Sequence, residues 1–242
     1  IVRDVTREVR LEATRKDFVA NASHELRSPL TVISGYLETL SQDENLDAAL
    51  RAPLLEMRRQ ALRMSAIVQD LLELSRLEAT DRVAEGEPID VGELMTRLRS
   101  DLLMRMPTAL EVRLQVDSGA RLLGEPAQLH SAFANLLDNA AKYTPAGGTI
   151  TVRWWSNEQG GHFSVVDTGI GIAPEHLPRL TERFYRVDAG RSRASGGSGL
   201  GLAIVKHVLQ RHGASLQIES EEGRGSTFSC HFPSTRLVAA GR

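Results

Sequence analysis

His24 and Glu25 are adjacent in a segment whose apolar residues recur at helical spacing, and the pair is the most reactive combination in the sequence. An advance of roughly 100° per residue sets His24 about 200° from both Ala22 and Leu26, so the imidazole points away from the apolar stripe. A carboxylate beside an imidazole can hold or take one ring proton, which leaves the other nitrogen as a nucleophile. Ser28 lies one turn on, and Pro29 removes a backbone donor there, which lets the helix bend beside the reactive turn. Further along, Asn135, Asn139 and Lys142 fall within roughly 60° of one another on a helical wheel, opposite Leu129, Phe133, Leu136, Leu137 and Ala140. Two amide oxygens one turn apart suit Mg²⁺, a hard ion that keeps phosphates and waters as its other ligands, and Lys142 can meet a phosphate. Asp167 ends a strand-like run and opens Asp-Thr-Gly-Ile-Gly, through Gly169 and Gly171. A buried carboxylate accepts hydrogen bonds only, which favours the exocyclic amine of adenine over the carbonyl of guanine. Gly197, Ser198, Gly199, Leu200 and Gly201 open a later helix, where glycines permit close backbone approach and free N–H groups face phosphate oxygens.

These residues need elements to carry them. Val19, Ala22, Leu26, Leu30, Ile33, Leu37 and Leu40 are separated by threes and fours, and so are Leu50, Leu54, Met57, Ala61, Met64, Ile67, Leu71 and Leu74 after a polar stretch at 41–47. The pattern predicts an antiparallel helical hairpin over 1–78, with Pro53 in the first turn of its second helix. Two continuous apolar stripes cannot both be hidden within one hairpin, so pairing with a second copy into a four-helix bundle, a homodimer, is expected. Residues 79–90, with Gly86 and Pro88, read as a linker, and 91–235 as a second domain. In it, helices are expected over 91–106, 126–143 and 200–212, and strands over 111–116, 149–155, 162–167, 215–220 and 226–232. The fold class is therefore α+β in two domains, the second a sheet covered by helices, with 236–242 as a frayed tail. Trp154 and Trp155 occupy opposite faces of one strand, so one belongs to the core and one to the surface.

Composition narrows the function. The chain has 242 residues, enough for one or two domains, and Lys plus Arg at 29 against Asp plus Glu at 31 gives a formal charge of −2. Nothing in that balance draws the chain to nucleic acid. A single cysteine, Cys230, forms no internal disulfide and suits a reducing compartment. No window approaches the roughly 18 apolar residues of a membrane helix, and the chain begins at Ile1. It reads as a soluble part of something longer, without membrane contact of its own. The glycine run is a poor dinucleotide-binding match, since Gly197, Gly199 and Gly201 have the wrong spacing, and no Gly-Lys-Ser/Thr of a P-loop occurs. His130, His162, His176, His207, His212 and His231 lack metal-binding spacing and read as structural.

Phe18, Asn21, Ser23, His24, Glu25, Leu26, Arg27, Ser28, Pro29 and Leu30 resemble the H-box of sensor histidine kinases. The run Asn135 to Thr144 resembles the N-box, Asp167 to Gly171 the G1 box, Phe184-Tyr185-Arg186 the F-box and Gly196 to Leu202 the G2 box of the same family, in the family's order. The resemblance covers residues from about 15 to 232 and implies a dimerisation and histidine-phosphotransfer hairpin followed by an ATP-binding α/β sandwich of the Bergerat type. It implies that His24 is autophosphorylated from ATP and that Glu25 is the general base. Ser28, where Thr or Asn is usual, would orient a water for dephosphorylating a regulator. It further implies Asn139 as the main Mg²⁺ ligand with Asn135 in support, Tyr143 beside the nucleotide, Asp167 on adenine, Arg186 among the nucleotide-binding residues, and the glycine loop on the phosphates. Residues 187–195 would form a lid in which Arg191 and Arg193 are candidates to steady phosphates. The implied partners are a second copy and a response-regulator receiver domain. The implied location is the cytoplasmic side of an inner-membrane sensor protein, and the run from Tyr185 to His207 is most similar to the phosphate-responsive type. The competing readings are a non-catalytic dimeric scaffold that binds nucleotide, and an ATPase of the gyrase, chaperone or mismatch-repair kind, which would lack the H-box hairpin.

Overall fold

A computed structural model of the chain describes residue 26 and residues 28–43, 46–79, 86–105, 110–187 and 197–239. The described residues form two compact units, one holding the residues up to 79 together with 197–200, the other holding 86–187 and 201–239.

The first unit is a helical hairpin of α1 (28–41) and α2 (Ala48–Glu78). Asp47 sets the start of α2, because its side chain accepts the Ala49 N–H at 2.9 Å and so satisfies a donor that has no partner within the helix. Pro53 consequently sits in the second turn, not in the first as expected: the aspartate cap begins the helix earlier than the proline alone would suggest. Arg58 of α2 reaches Glu38 of α1 at 3.4 Å. The apolar stripe divides into two series of seven-residue spacing. Leu30 and Leu37 are buried, as are Ala61 and Val68. Leu26, Ile33 and Leu40 stay 46–49% exposed and Leu50, Met57 and Met64 stay 52–56% exposed, so half of the seam faces outward on a single chain. His24, Glu25, Val19 and Ala22 lie outside the described residues.

The second unit is built on a five-stranded sheet in the order β2 (Glu111–Val116), β4 (Thr149–Asn157), β5 (Gly160–Asp167), β7 (Gly225–Pro233), β6 (Ser215–Glu221). Only the β2–β4 pair is parallel. Helices α3 (Val91–Arg105), α4 (Pro126–Tyr143) and α5 (Gly201–Arg211) accompany it, with α4 packed on both α3 and α5 and on β5. Pro126 takes the first position of α4, where its missing N–H costs nothing. The apolar face of α4 then sinks Leu129, Phe133, Leu136, Leu137 and Ala140 into the core. The Phe133 ring stacks on Phe163 of the central strand at 3.7 Å, and Phe232 of β7 meets it edge-on at 6.2 Å. Trp154 is fully buried and Trp155 half-buried, as strand alternation requires.

The structure departs from expectation at both ends of this unit. Part of the predicted linker is β1 (Glu87–Ile89), and part of the predicted tail is β8 (Leu237–Val238); both pair antiparallel with β3 (Arg121–Gly124) in a second, three-stranded sheet. Strands of two to four residues show no alternation long enough to recognise, and they exist because β3 offers both its edges. Gly86 permits the approach, since a Cβ there would stand 2.2 Å from the Gly124 nitrogen. His212 pins the same corner. It is fully buried at the end of α5, donates Nδ1–H to the Val208 carbonyl at 2.7 Å and accepts the Glu125 backbone N–H on Nε2 at 3.1 Å. Burial holds its imidazole below the ordinary histidine value.

Candidate functional site

The polar face of α4 carries Asn135, Asn139 and Lys142, all half-buried, and ends at Tyr143, which is 40% exposed. Asn135 donates its amide to the Ser131 carbonyl at 3.0 Å, which turns its oxygen toward the start of α5. A Cβ on Gly201 would stand 2.4 Å from that oxygen, so a side chain there would force the Asn135 amide to turn aside. Asn139 makes no side-chain hydrogen bond to another described residue. The Lys142 ammonium stands over the Tyr143 ring at 4.8 Å.

Asp167 closes β5 and is 5% exposed. Its Oδ1 accepts the Gly169 N–H at 2.8 Å. Burial pushes its carboxyl up from the ordinary aspartate value, against the opposing pull of the backbone bonds from Gly169 and Ser226. The loop that follows is tied down from several sides. Ile170 N–H donates to the Tyr143 carbonyl at 3.2 Å, Gly223 N–H donates to the Ile170 carbonyl at 2.7 Å, and Ile172 N–H donates to Ser220 Oγ at 2.8 Å. Gly169 has no room for a side chain between Asp167 Oδ1 and the Tyr143 carbonyl, each 2.6 Å from a Cβ built there. Gly171 adopts φ +67°, where a Cβ would stand 2.0 Å from the Glu221 carbonyl oxygen. The second unit thus brings the Asp167 loop against the C-terminal end of α4, four residues beyond Asn139.

The glycine loop belongs to the first unit. Ser198 Oγ accepts the Leu200 N–H at 3.1 Å and donates to Asp70 Oδ2 of α2 at 2.6 Å. Burial raises the Asp70 carboxyl above its ordinary value, and the Ser198 bond draws it back down. Gly199 turns the chain at φ +75°, and Gly197 is half-buried. Sequence reasoning did not single out Asp70, since one acidic residue on a charged helix face gives no signal. Nor did it find the Tyr143 carbonyl or Ser220 as anchors of the Asp167 loop, because both roles arise from tertiary packing. Of the other candidates, Ser28 is exposed on α1 and Arg186 is half-buried, while Arg191 and Arg193 lie outside the described residues. Phe184 holds φ +61° and is 56% exposed; its neighbour Tyr185 is clamped by His176 Nδ1 at 2.7 Å and by the Arg179 guanidinium over its ring at 4.2 Å. Among the described residues no group of three or more His, Cys, Asp or Glu is placed to hold a metal, and no helix is long and apolar enough to cross a membrane.

Comparison with known proteins accounts for both units. The His Kinase A (phospho-acceptor) domain matches residues 14–80, and the Histidine kinase-, DNA gyrase B-, and HSP90-like ATPase matches residues 124–236. The chain is 53% identical over 245 residues to the phosphate regulon sensor protein PhoR of Pseudomonas aeruginosa, a match covering 100% of this chain and 55% of the relative. It is 38% identical to PhoR of Haemophilus influenzae, across 99% of this chain and 56% of that one. The chain spans about half the length of the curated relatives it matches. Among solved structures, full-length ShkA in complex with AMPPNP superposes with a TM-score of 0.76 at 28% identity, over 93% of this chain and 47% of that one. The mycobacterial sensor histidine kinase MprB is 32% identical with a TM-score of 0.54, over 61% of this chain and 97% of that one. With a phospho-acceptor hairpin and an ATPase-type sandwich in one polypeptide, the chain belongs to the sensor histidine kinases.

Proposed function

We propose that the chain transfers the γ-phosphoryl group of ATP to a ring nitrogen of His24 and then to an aspartate of a separate response-regulator receiver domain. The observation that supports this reading is the buried Asp167 carboxylate, locked beside the end of a helix whose Asn139 oxygen is unspent, in a chain that also carries a phospho-acceptor hairpin. Asp167 accepts the adenine amine, and Lys142 and the glycine loop meet the phosphates. An unspent amide oxygen on a half-exposed helix face fits Mg²⁺, which Asn139 would hold and which would neutralise charge on the triphosphate. Asn135, one turn earlier on the same helix face, would support Asn139 through its amide oxygen. The His24 lone pair attacks the γ-phosphorus, the bond to the bridging oxygen breaks and ADP leaves; Glu25 accepts the proton of the other ring nitrogen. Ser28 would orient water for hydrolysis of the phosphorylated regulator.

The outward series Leu26, Ile33, Leu40, Leu50, Met57 and Met64 supports a homodimer closed as a four-helix bundle. The identity with PhoR proteins supports a phosphate-responsive sensor anchored in the inner membrane, with this core on its cytoplasmic side. Incubation with γ-labelled ATP tests the chemistry. Acid-labile, alkali-stable label is expected on the wild type and not on His24→Ala. Absence of label on both would leave a nucleotide-binding scaffold, and steady phosphate release without label would indicate an ATPase. Unchanged regulator hydrolysis in Ser28→Ala would remove the role given to Ser28.

A further inference from the structure

The face of the five-stranded sheet turned away from the helices carries a chain of polar side chains that nucleotide chemistry does not use. Asn157 ends β4, His162 lies on β5, His231 opposite it on β7, and Gln217 on β6. The Nδ1 atoms of the two imidazoles stand 2.8 Å apart. His162 Nε2 is 2.9 Å from Asn157 Oδ1, which also accepts the backbone N–H groups of Gln159 and Gly160 at 2.9 and 3.2 Å. That atom is therefore the amide oxygen, and His162 Nε2 must carry hydrogen. At the other end Gln217 donates its amide to the Glu219 carboxylate at 2.7 Å, which turns its oxygen to His231 Nε2 at 3.2 Å. His231 Nε2 must carry hydrogen too. With both rings neutral, two Nδ1 lone pairs would face each other at a distance that only an N–H···N bond makes favourable.

We propose that His162 and His231 hold one shared proton, with His231 as the imidazolium donating Nδ1–H to a neutral His162. The assignment follows the surroundings. His162 is 6% exposed and its ring stacks on Trp155 at 5.1 Å, whereas His231 is half-buried and joined through Gln217 to the Glu219 carboxylate. Burial, and then the charge of His231, hold His162 below the ordinary histidine value, so the pair resists a second proton. The other charged groups on this face, among the described residues, are Arg153 of β4, over the Trp155 ring at 4.8 Å and paired with Asp117 at 2.6 Å, Glu158 in the β4–β5 turn, Glu111 and Arg113 of β2, paired with each other at 2.7 Å, and Glu221 of β6. A metal ion fits less well than a proton, because two nitrogens on tetrahedral zinc stand roughly 3.3 Å apart. While the proton is held, side chains bind β4, β5, β7 and β6 into one row; its loss at higher pH, or a second proton at lower pH, breaks the row at its centre.

Long-range ¹H–¹⁵N spectra of the histidine-labelled chain, from about pH 5 to about pH 9, test this. Three protonated nitrogens across the two rings near neutral pH, with both rings titrating together, are expected. His231→Asn places an amide nitrogen about where ring Nδ1 stands and supplies a permanent donor. His162 should then stay neutral, and the melting temperature should no longer fall above neutral pH, a difference from wild type of about 2–4 °C. Two neutral rings titrating independently would overturn the proposal, and so would ring signals that change on chelation, which would mean a metal lies between them. Should His231→Asn fail to fold, the wild-type spectra alone decide.

Discussion

The two glycine loops differ in what holds them. The loop after Asp167 is anchored by main-chain bonds to Tyr143 and Gly223, by Ser220 and by the aspartate itself, with glycines where no side chain fits. Of the glycine loop only 197–200 is described, and there Ser198 is bonded to the Asp70 carboxylate and Leu200 is fully buried. Under the proposed function the first loop is a preformed adenine pocket, which loses little entropy on binding, and the second is a more lightly tied segment that can be released and reformed around phosphates. On the function proposed above, recognition of the base is built into the fold and engagement of the phosphates is conditional.

The largest effect should come from Gly171→Ala, which forces a side chain into left-handed backbone against the Glu221 carbonyl. A loss of about 2–4 kcal/mol is expected from denaturant midpoints, and a loss below about 1 kcal/mol would show that this loop yields as easily as the other. Asp167→Asn should weaken binding of a fluorescent ATP analogue about 10- to 100-fold, the worth of a charge-assisted hydrogen bond. Its effect on stability has the opposite sign. Because the folded carboxyl lies above its unfolded value near 4, its contribution is complete below that value and lost as pH rises through the folded one. At neutral pH the variant should melt at or above the wild-type temperature, with the advantage shrinking toward acid.

His212 holds the far end of α5, the helix that the glycine loop opens. Its folded value lies below the ordinary one, so its contribution is present above about pH 6.5 and falls by up to about 1.4 kcal/mol per pH unit as pH drops toward the folded value. His212→Asn keeps the bond to Val208 and should remove that slope, at a loss of about 1 kcal/mol near pH 7.5; an unchanged slope would place the acid sensitivity elsewhere. The smallest effect is expected from Asp70→Ala. Freed of its acceptor, the 197–200 segment should exchange its amide hydrogens about fivefold faster by mass spectrometry, equivalent to about 1 kcal/mol. No change would mean that Asp70 does not hold the loop, and the contrast between the two loops would weaken.

Patterns of short sequence range were legible in advance. The helix at Pro126–Tyr143 and the strand at Glu111–Val116 follow from periodicity and a proline at the helix start, and the order of the motifs identified the family. Strands β1, β3 and β8 were not legible, because two to four residues carry too little alternation and gain their stability from each other. The hairpin seam was visible as one stripe, yet its division into buried and outward series depends on how the helices turn toward each other.

The sequence by itself determined which side chains are available, since residue type and helical or strand spacing set which groups share a face. Only the tertiary structure decided how their hydrogen-bonding capacity is spent: Asn135 on Ser131, Ser198 on Asp70, Tyr143 on Ile170, His162 on His231. Apart from Asn135, these pairings join residues far apart in sequence. Their partners are chosen when packed elements meet and exclude water, which no local pattern encodes.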